Sequence, residues 1–128
     1  MVNKKYIPER GDIVWLDFTP QTGHEQMGRR PAIVISPIEY NEKVGLGIFC
    51  PITSKQKGYP FEVKIQNKKI DGVVLSDQIK NLDWGKRNIE YIGKSRKEEL
   101  DEVIIKQEDD IFYPMISKVQ WQKGGKAD

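Results

Sequence analysis

Over the first 94 positions the apolar residues come in short runs broken by Gly, Pro and Asn, and that punctuation points to a compact β unit. Ile13 to Phe18 alternates, which puts Val14, Leu16 and Phe18 on one face of a strand. Ala32 to Ser36 and Leu46 to Cys50 are nearly continuous, so both faces of these two strands are expected to be covered, at the centre of the fold. Phe61 to Ile65 alternates as a strand with one face in water does. Asp71-Gly72, just before Val73-Val74-Leu75, reads as the turn dipeptide of a hairpin or bulge.

After residue 94 the period changes. Ser95-Arg96-Lys97-Glu98 matches a capping box, in which the Ser hydroxyl and the Glu carboxylate each satisfy an orphan backbone donor, and it predicts a helix beginning there. Leu100, Val103, Ile104 and Ile111 supply one apolar stripe to lay on the sheet, and Pro114 is expected to end the helix. A single domain over residues 1–116 is expected, with 117–128, which contains Gly124-Gly125, as a flexible tail. The expected fold is mainly β in the α+β class: a small, strongly twisted antiparallel sheet closing into a partial barrel, with one C-terminal helix against it.

Composition narrows the chemistry. One His, one Cys and no Cys/His cluster exclude a zinc site built on the usual ligands. Neither a GxxxxGK[ST] phosphate loop nor a GxSxG nucleophile elbow occurs, and no cofactor is expected. Cys50 lies in an apolar run and fits a reducing compartment. No apolar stretch approaches the roughly 20 residues of a membrane span, and no apolar region follows the lysines of MVNKKYIPERGD, so a cytoplasmic protein is expected. The formal net charge of +2 is unevenly spread: residues 1–94 carry 15 basic and 11 acidic side chains, whereas residues 95–114 carry 3 and 7. A mildly basic body with a separate acidic segment permits a polyanionic ligand without indiscriminate coating of nucleic acid.

Two segments put polar groups at strand ends, and together they hold the parts of an anion site. In GHEQMGRRP (Gly23 to Pro31) the glycines at 23 and 28 suit sharp turns, while Arg29 and Arg30 supply fixed cations. In PITS (Pro51 to Ser54) Thr53 and Ser54 supply hydroxyls. Each residue also has a plainer reading. Arg30 fits bidentate stabilisation of a phosphate, or a loop contact to Glu25. Thr53 and Ser54 fit phosphate donors, or local turn formers. Asp77 and Gln78 fit readers of exposed base edges, or a sheet-terminal turn. Lys55, Lys57 and Tyr59 fit phosphate contact and base stacking, or a solvated loop. Trp15 fits core or interface burial better than base stacking, and Trp84 and Trp121 have no readable role.

ERGDIVWLDFTP (Glu9 to Pro20), GHEQMGRRPAIVISP (Gly23 to Pro37), PITS, KGYPFEV (Lys57 to Val63) and DGVVLSDQIK (Asp71 to Lys80) occur in the order and spacing of the MazF/PemK/Kid family of toxin endoribonucleases, which this chain resembles over about residues 5 to 105. The resemblance implies an SH3-like barrel shared with gyrase-poisoning toxins of the CcdB type. It also implies a sequence-specific, metal-independent endoribonuclease that cuts single-stranded mRNA to 2′,3′-cyclic phosphate and 5′-hydroxyl ends and so inhibits translation. RNA suits such a chain, because its own 2′-hydroxyl is the nucleophile and the protein need only position, move protons and stabilise charge. Family likeness makes Arg30 and Thr53 catalytic, with Ser54 beside them. The general base stays open among Glu25, His24, whose ordinary pKa of about 6.5 suits it, and Asp77; the site is assigned with Glu25 among the catalytic groups. His24, Arg29, Ser54, Lys55, Lys57, Tyr59, Asp77 and Gln78 are the expected substrate-binding residues. Kid-like members carry an Arg two residues before the Asp matching Asp77; Leu75 stands there, so the MazF branch is the nearer likeness. The implied partners are a second copy of the chain in a homodimer, with RNA along the groove between subunits, and an antitoxin whose disordered acidic tail takes the same groove. Operator DNA is implied through the antitoxin complex alone. Two other readings of the same fold are a non-enzymatic gyrase poison and a binding barrel without catalysis.

Overall fold

The run Leu46 to Cys50 becomes the strand around which the others are arranged. The computed structural model describes residues 5–18 and 28–116, with side chains through residue 108. In chain order the elements are β1 (Asp12–Phe18), β2 (Gly28–Val34), α1 (Ile38–Val44), β3 (Gly47–Thr53), β4 (Glu62–Gln66), β5 (Asp71–Leu75), β6 (Lys80–Leu82), a 3-10 turn (Trp84–Lys86), β7 (Glu90–Lys94) and α2 (Lys97–Ile116). The described strands make one antiparallel sheet in the order β4-β5-β3-β2-β1-β7, with β6 also paired to β3. On one edge β3 pairs β2 through Ala32↔Pro51 to Val34↔Phe49; on the other it pairs β6 over Gly47 to Phe49 and β5 over Ile52 and Thr53. Pro51, which has no N–H to give, falls between the β6 and β5 stretches, where a missing donor costs least.

Burial follows the alternation. Ile13, Ile33, Cys50, Ile52, Val63 and Ile65 form one core with Val103 of α2, and Trp15 packs against its margin. Val14, Leu16, Phe18, Ala32, Val34 and Phe49 form a second on the opposite face, closed by Trp84. Both faces of β2 and β3 are therefore covered, which is why these strands read as continuous apolar runs. Trp84 seals the second core and donates its indole N–H to the Leu46 carbonyl at 3.2 Å. The turn between β4 and β5 lies beside β7, with Asn67 next to Gly93 and Lys69 Nζ 3.5 Å from the Ile92 carbonyl, so the two ends of the sheet approach each other as in a partial barrel. Burial pushes the Cys50 thiol up to about 12, against the hydrogen bond from Gln107 that works the other way.

Three local expectations are corrected. The helix starts at Lys97, not Ser95, and the reciprocal cap is shifted by one residue: Glu99, not Glu98, accepts the Arg96 N–H at 2.9 Å. The reason is tertiary, because the other Glu99 oxygen accepts the Gln66 N–H at 2.9 Å and so covers the β4 edge, a task Glu98 on the exposed side cannot perform. Ser95 Oγ, the expected cap, is buried without a partner among the described residues. Pro114 does not stop α2, whose backbone continues to Ile116, since a proline removes one donor and one carbonyl contact without forbidding the turns around it. Asp71-Gly72 lies inside β5; the turn is Asn67 to Ile70, where the Asn67 N–H meets the Ile70 carbonyl at 3.2 Å. α1 was not anticipated from sequence. It is framed by Pro37 and by Gly45 at φ 80°, and pinned by buried Asn41, which donates to the carbonyls of Pro8 and Ser36. The segment 117–128, expected as a tail, lies outside the described residues.

Gly72 has a reason of its own. A Cβ there would lie 2.5 Å from the Thr53 carbonyl oxygen, so β5 can approach the end of β3 this closely only without a side chain. Gly72→Ala is expected to lower stability by about 1–3 kcal/mol, the range for forced overpacking, and to displace Thr53. Urea unfolding together with the amide chemical shift of residue 53 checks both; an unchanged midpoint and shift would show that β5 can retreat at no cost.

Candidate active site

Period-two alternation sets the two main polar groups side by side. Positions 30, 32 and 34 share one face of β2, and 49, 51 and 53 share one face of β3. The pairs Val34↔Phe49 and Ala32↔Pro51 join the rows, so one further step of that register puts Arg30 opposite Thr53. Apolar along the second core, both rows turn polar where that core ends. Arg30 and Thr53 there line a cavity of about 540 Å³ that also takes in Ser54, Lys55, Lys57, Tyr59 and Gln78, with Leu75 as an apolar wall.

Local bonds hold each group. Thr53 Oγ1 accepts the Lys55 N–H at 3.1 Å, so the local-turn reading is realised, and the hydroxyl hydrogen is what this side chain has to donate. Glu62, which sequence reasoning missed, lines the same cavity and accepts the N–H of Lys57 at 2.9 Å and of Gly58 at 3.1 Å. Its carboxylate ties down the loop that presents Lys55 and Lys57; the signal was a lone acidic residue just past a Lys-Gly pair, at the start of an alternating strand. Tyr59 donates its hydroxyl to Asp77 Oδ2, and its ring meets Phe61 edge-on at 5.9 Å. Asp77 Oδ1 and Gln78 Oε1 are buried and lack a hydrogen-bond partner among the described residues. Unmatched acceptors of this kind are costly unless a ligand supplies donors. His24 and Glu25 lie outside the described residues.

Comparison with known proteins agrees with the fold and with the family likeness. The family of PemK-like, MazF-like toxins of type II toxin-antitoxin systems matches residues 9–106. The chain belongs to this family. It is similar to the endoribonuclease toxin MazF of Escherichia coli (strain K12), 46% identical over 96 residues that cover 75% of this chain and 86% of that one. Among solved structures it is similar to MazF from Deinococcus radiodurans, with TM-score 0.79, 48% identity and coverage of 82% of this chain and 96% of that one. A MazE-MazF complex from the same organism matches with TM-score 0.73 and 46% identity, over 81% of this chain and 95% of that chain. In this toxin the matched stretch runs from the approach to β1 into the first turns of α2, and so contains every described residue of the cavity. Among the described residues no helix is long and apolar enough to cross a membrane.

Arg29 takes a different position from its neighbour. Consecutive strand residues face opposite ways, and Arg29 opposes Asp17 in the β1–β2 register. Its guanidinium bonds Asp17 Oδ1 at 3.2 Å, Glu90 Oε1 at 3.1 Å and the Asn88 carbonyl at 2.7 Å. Asn88 adds a bond to Asp17 Oδ2 at 2.7 Å. In the toxin this clamp ties the end of β1 to the start of β2 and to the residues that lead into β7. The Asn88 amide first, then the Arg29 guanidinium, hold the Asp17 carboxyl below its ordinary value of 3.8. A depressed carboxyl contributes stability that is present above its unfolded value and lost as pH falls through its folded one. Asp17→Asn is therefore expected to unfold with a shallower loss of stability below about pH 4 than the parent chain, because that titration is gone. Urea midpoints from pH 2 to 6 read the difference; parallel curves would show that the clamp does not titrate.

Proposed function

We propose that the chain is a sequence-selective endoribonuclease toxin that cuts single-stranded RNA at the cavity shared by Arg30 and Thr53. The observation that carries this reading is the placement of a guanidinium and a hydroxyl on one rigid face, at the wall of a cavity lined by further cations and an aromatic ring. In the proposed reaction the RNA 2′-hydroxyl attacks the adjacent phosphorus, and the 5′-oxygen leaves, giving a 2′,3′-cyclic phosphate and a 5′-hydroxyl. Arg30 stabilises the developing charge with paired N–H donors and hydrogen-bonds the leaving 5′-oxygen, and the proton that the general base takes from the 2′-hydroxyl is returned to that oxygen, directly or through water, to give the 5′-hydroxyl. Thr53 donates its hydroxyl hydrogen to a nonbridging oxygen, and Ser54 lies within the same cavity to add a second donor. Deprotonation of the 2′-hydroxyl falls to His24, Glu25 or Asp77, and the Tyr59 hydroxyl on Asp77 supports a binding role for that carboxylate over a basic one.

Lys55 and Lys57 meet neighbouring phosphates, Tyr59 stacks on a base, and the acceptors of Asp77 and Gln78 take N–H donors from base edges. Arg29 serves substrate binding by fixing the start of β2 and with it the position of Arg30. The proposed assembly is a homodimer with RNA between subunits. It is regulated by an antitoxin whose acidic, folding-on-binding segment occupies the same cations, and MazE-MazF complexes among similar structures support such a partner.

Incubating the antitoxin-free protein with long single-stranded RNA in excess EDTA, followed by mapping of fragment ends, tests the reading. Discrete cuts carrying cyclic phosphate are expected. Arg30→Ala is expected to lose roughly 10²–10³ in rate, the usual cost of removing one charge-stabilising donor, and Thr53→Ala somewhat less. Intact RNA across varied sequences would overturn the proposal.

A further inference from the structure

A second, smaller cavity of about 290 Å³ lies on the other side of the wall formed by Arg30, Thr53 and Ser54, all of which border both spaces. Its lining is mixed, with apolar atoms from Pro31, Ile52 and Ile70 among the polar ones, and its far rim carries Lys69 and Asp71 from the β4–β5 hairpin. The charges at this rim are unequally committed. Asp71 is paired with Lys64 at 3.2 Å, and Arg29, which also borders the cavity, is held by Asp17 and Glu90. Lys69 has no ion-pair partner among the described residues, and its ammonium touches only the Ile92 carbonyl at 3.5 Å. A mixed lining with a cation free of ion pairs on its rim, sharing a wall with the proposed site of chemistry, suits a single nucleotide: sugar and base edge against the lining, phosphate toward the ammonium.

We propose that this cavity is a further nucleotide subsite, and that Lys69 contacts the backbone phosphate next to the one that is cut. The inference rests on the ribonuclease reading and extends it: the RNA chain crosses the Arg30–Thr53 wall, occupying both cavities at once. Lys69 is a binding residue here, not a catalytic one. Its position, not its charge alone, is the claim, and Lys68 beside it, exposed and not lining the cavity, provides the control of equal charge.

The test compares kcat/KM for the parent chain, Lys69→Ala, Lys69→Arg and Lys68→Ala on a short RNA carrying the mapped cleavage sequence. Parallel substrates carry a neutral methylphosphonate at the first linkage on either side of the cut. Lys69→Ala is expected to lower kcat/KM roughly tenfold, as for one charge-assisted contact, and to flatten the salt slope by about 0.7, the value for one phosphate on a single strand. Lys69→Arg should stay near the parent, and Lys68→Ala should change little. One of the two methylphosphonates should remove the difference between parent and Lys69→Ala, as a coupled pair requires. Equal losses for Lys68→Ala and Lys69→Ala, or a Lys69→Ala deficit that neither methylphosphonate abolishes, would overturn the subsite and leave the ribonuclease reading intact. Failure of the parent chain to cut any RNA would instead remove the reading beneath it.

Discussion

β3 carries two partners on one edge and one on the other, and the geometry of the site depends on that arrangement. Its first half is held by β6, its second by β5, and β2 runs along the opposite side through the middle. Phe49, Cys50 and Ile52 anchor it in both cores, so neither end can shift without opening buried surface. The strand therefore delivers Thr53 to a fixed point. The close passage of Gly72 under the Thr53 carbonyl fixes that point further, and the β2 register fixes Arg30 against it. A guanidinium and a hydroxyl whose backbones belong to the same sheet need little reorganisation to meet a phosphate, which is the condition under which electrostatic stabilisation is most effective.

The same alternation sorts the two adjacent arginines. One lies in the row that ends beside Thr53; the other meets Asp17, Glu90 and Asn88 on the opposite face. Exposed ion pairs of this type contribute little individually, but here they commit the Arg29 guanidinium to Asp17 and Glu90, although the residue borders the smaller cavity. Glu62 does similar work in the 55–59 loop by spending its charge on backbone donors and not on Lys55 or Lys57. Among the described residues, three cations, Arg30, Lys55 and Lys57, and one carboxylate, Glu62, thus line the cavity of a chain whose formal net charge is only +2.

How much of this was legible depended on how far each decision was local. The alternation of β1 and β4, the covered runs of β2 and β3 and the stripe of α2 through Leu100, Val103 and Ile104 follow from one-dimensional periodicity, and the fold reflects them, while the Ile111 side chain lies outside the described residues. The start of α2 did not, because the choice between Glu98 and Glu99 is made by the Gln66 N–H, 33 residues away in sequence. Asp71-Gly72 misled for a related reason: the glycine answers a close approach from another strand, not a turn. Arg30, Thr53, Ser54, Lys55, Lys57, Tyr59 and Gln78 were readable from motifs and do gather around one cavity. What no local pattern indicated was that Arg29 would be committed to carboxylates of β1 and β7, or that the β4–β5 hairpin would bring Lys69 up to the same wall.

The division between strand and loop bears on how such a site can change its target. The groups proposed for charge stabilisation stand on β2 and β3, where any displacement disturbs two cores. Those proposed for base and phosphate recognition stand on the 55–59 loop, the turn at Asp77 and Gln78, and the β4–β5 hairpin, which are tied to the sheet by a few hydrogen bonds. Substitution in the loops costs little folding free energy, since exposed loop positions usually tolerate change within about 0.5 kcal/mol. Substitution at Arg30 or Thr53 would, in the proposed mechanism, alter the chemistry itself. On the proposed reading, recognition of a new RNA sequence can arise by exchanging Lys55, Tyr59, Gln78 or Lys69 while the cleavage step is retained, and the two partly separate cavities would let the nucleotides on either side of the cut be respecified one at a time.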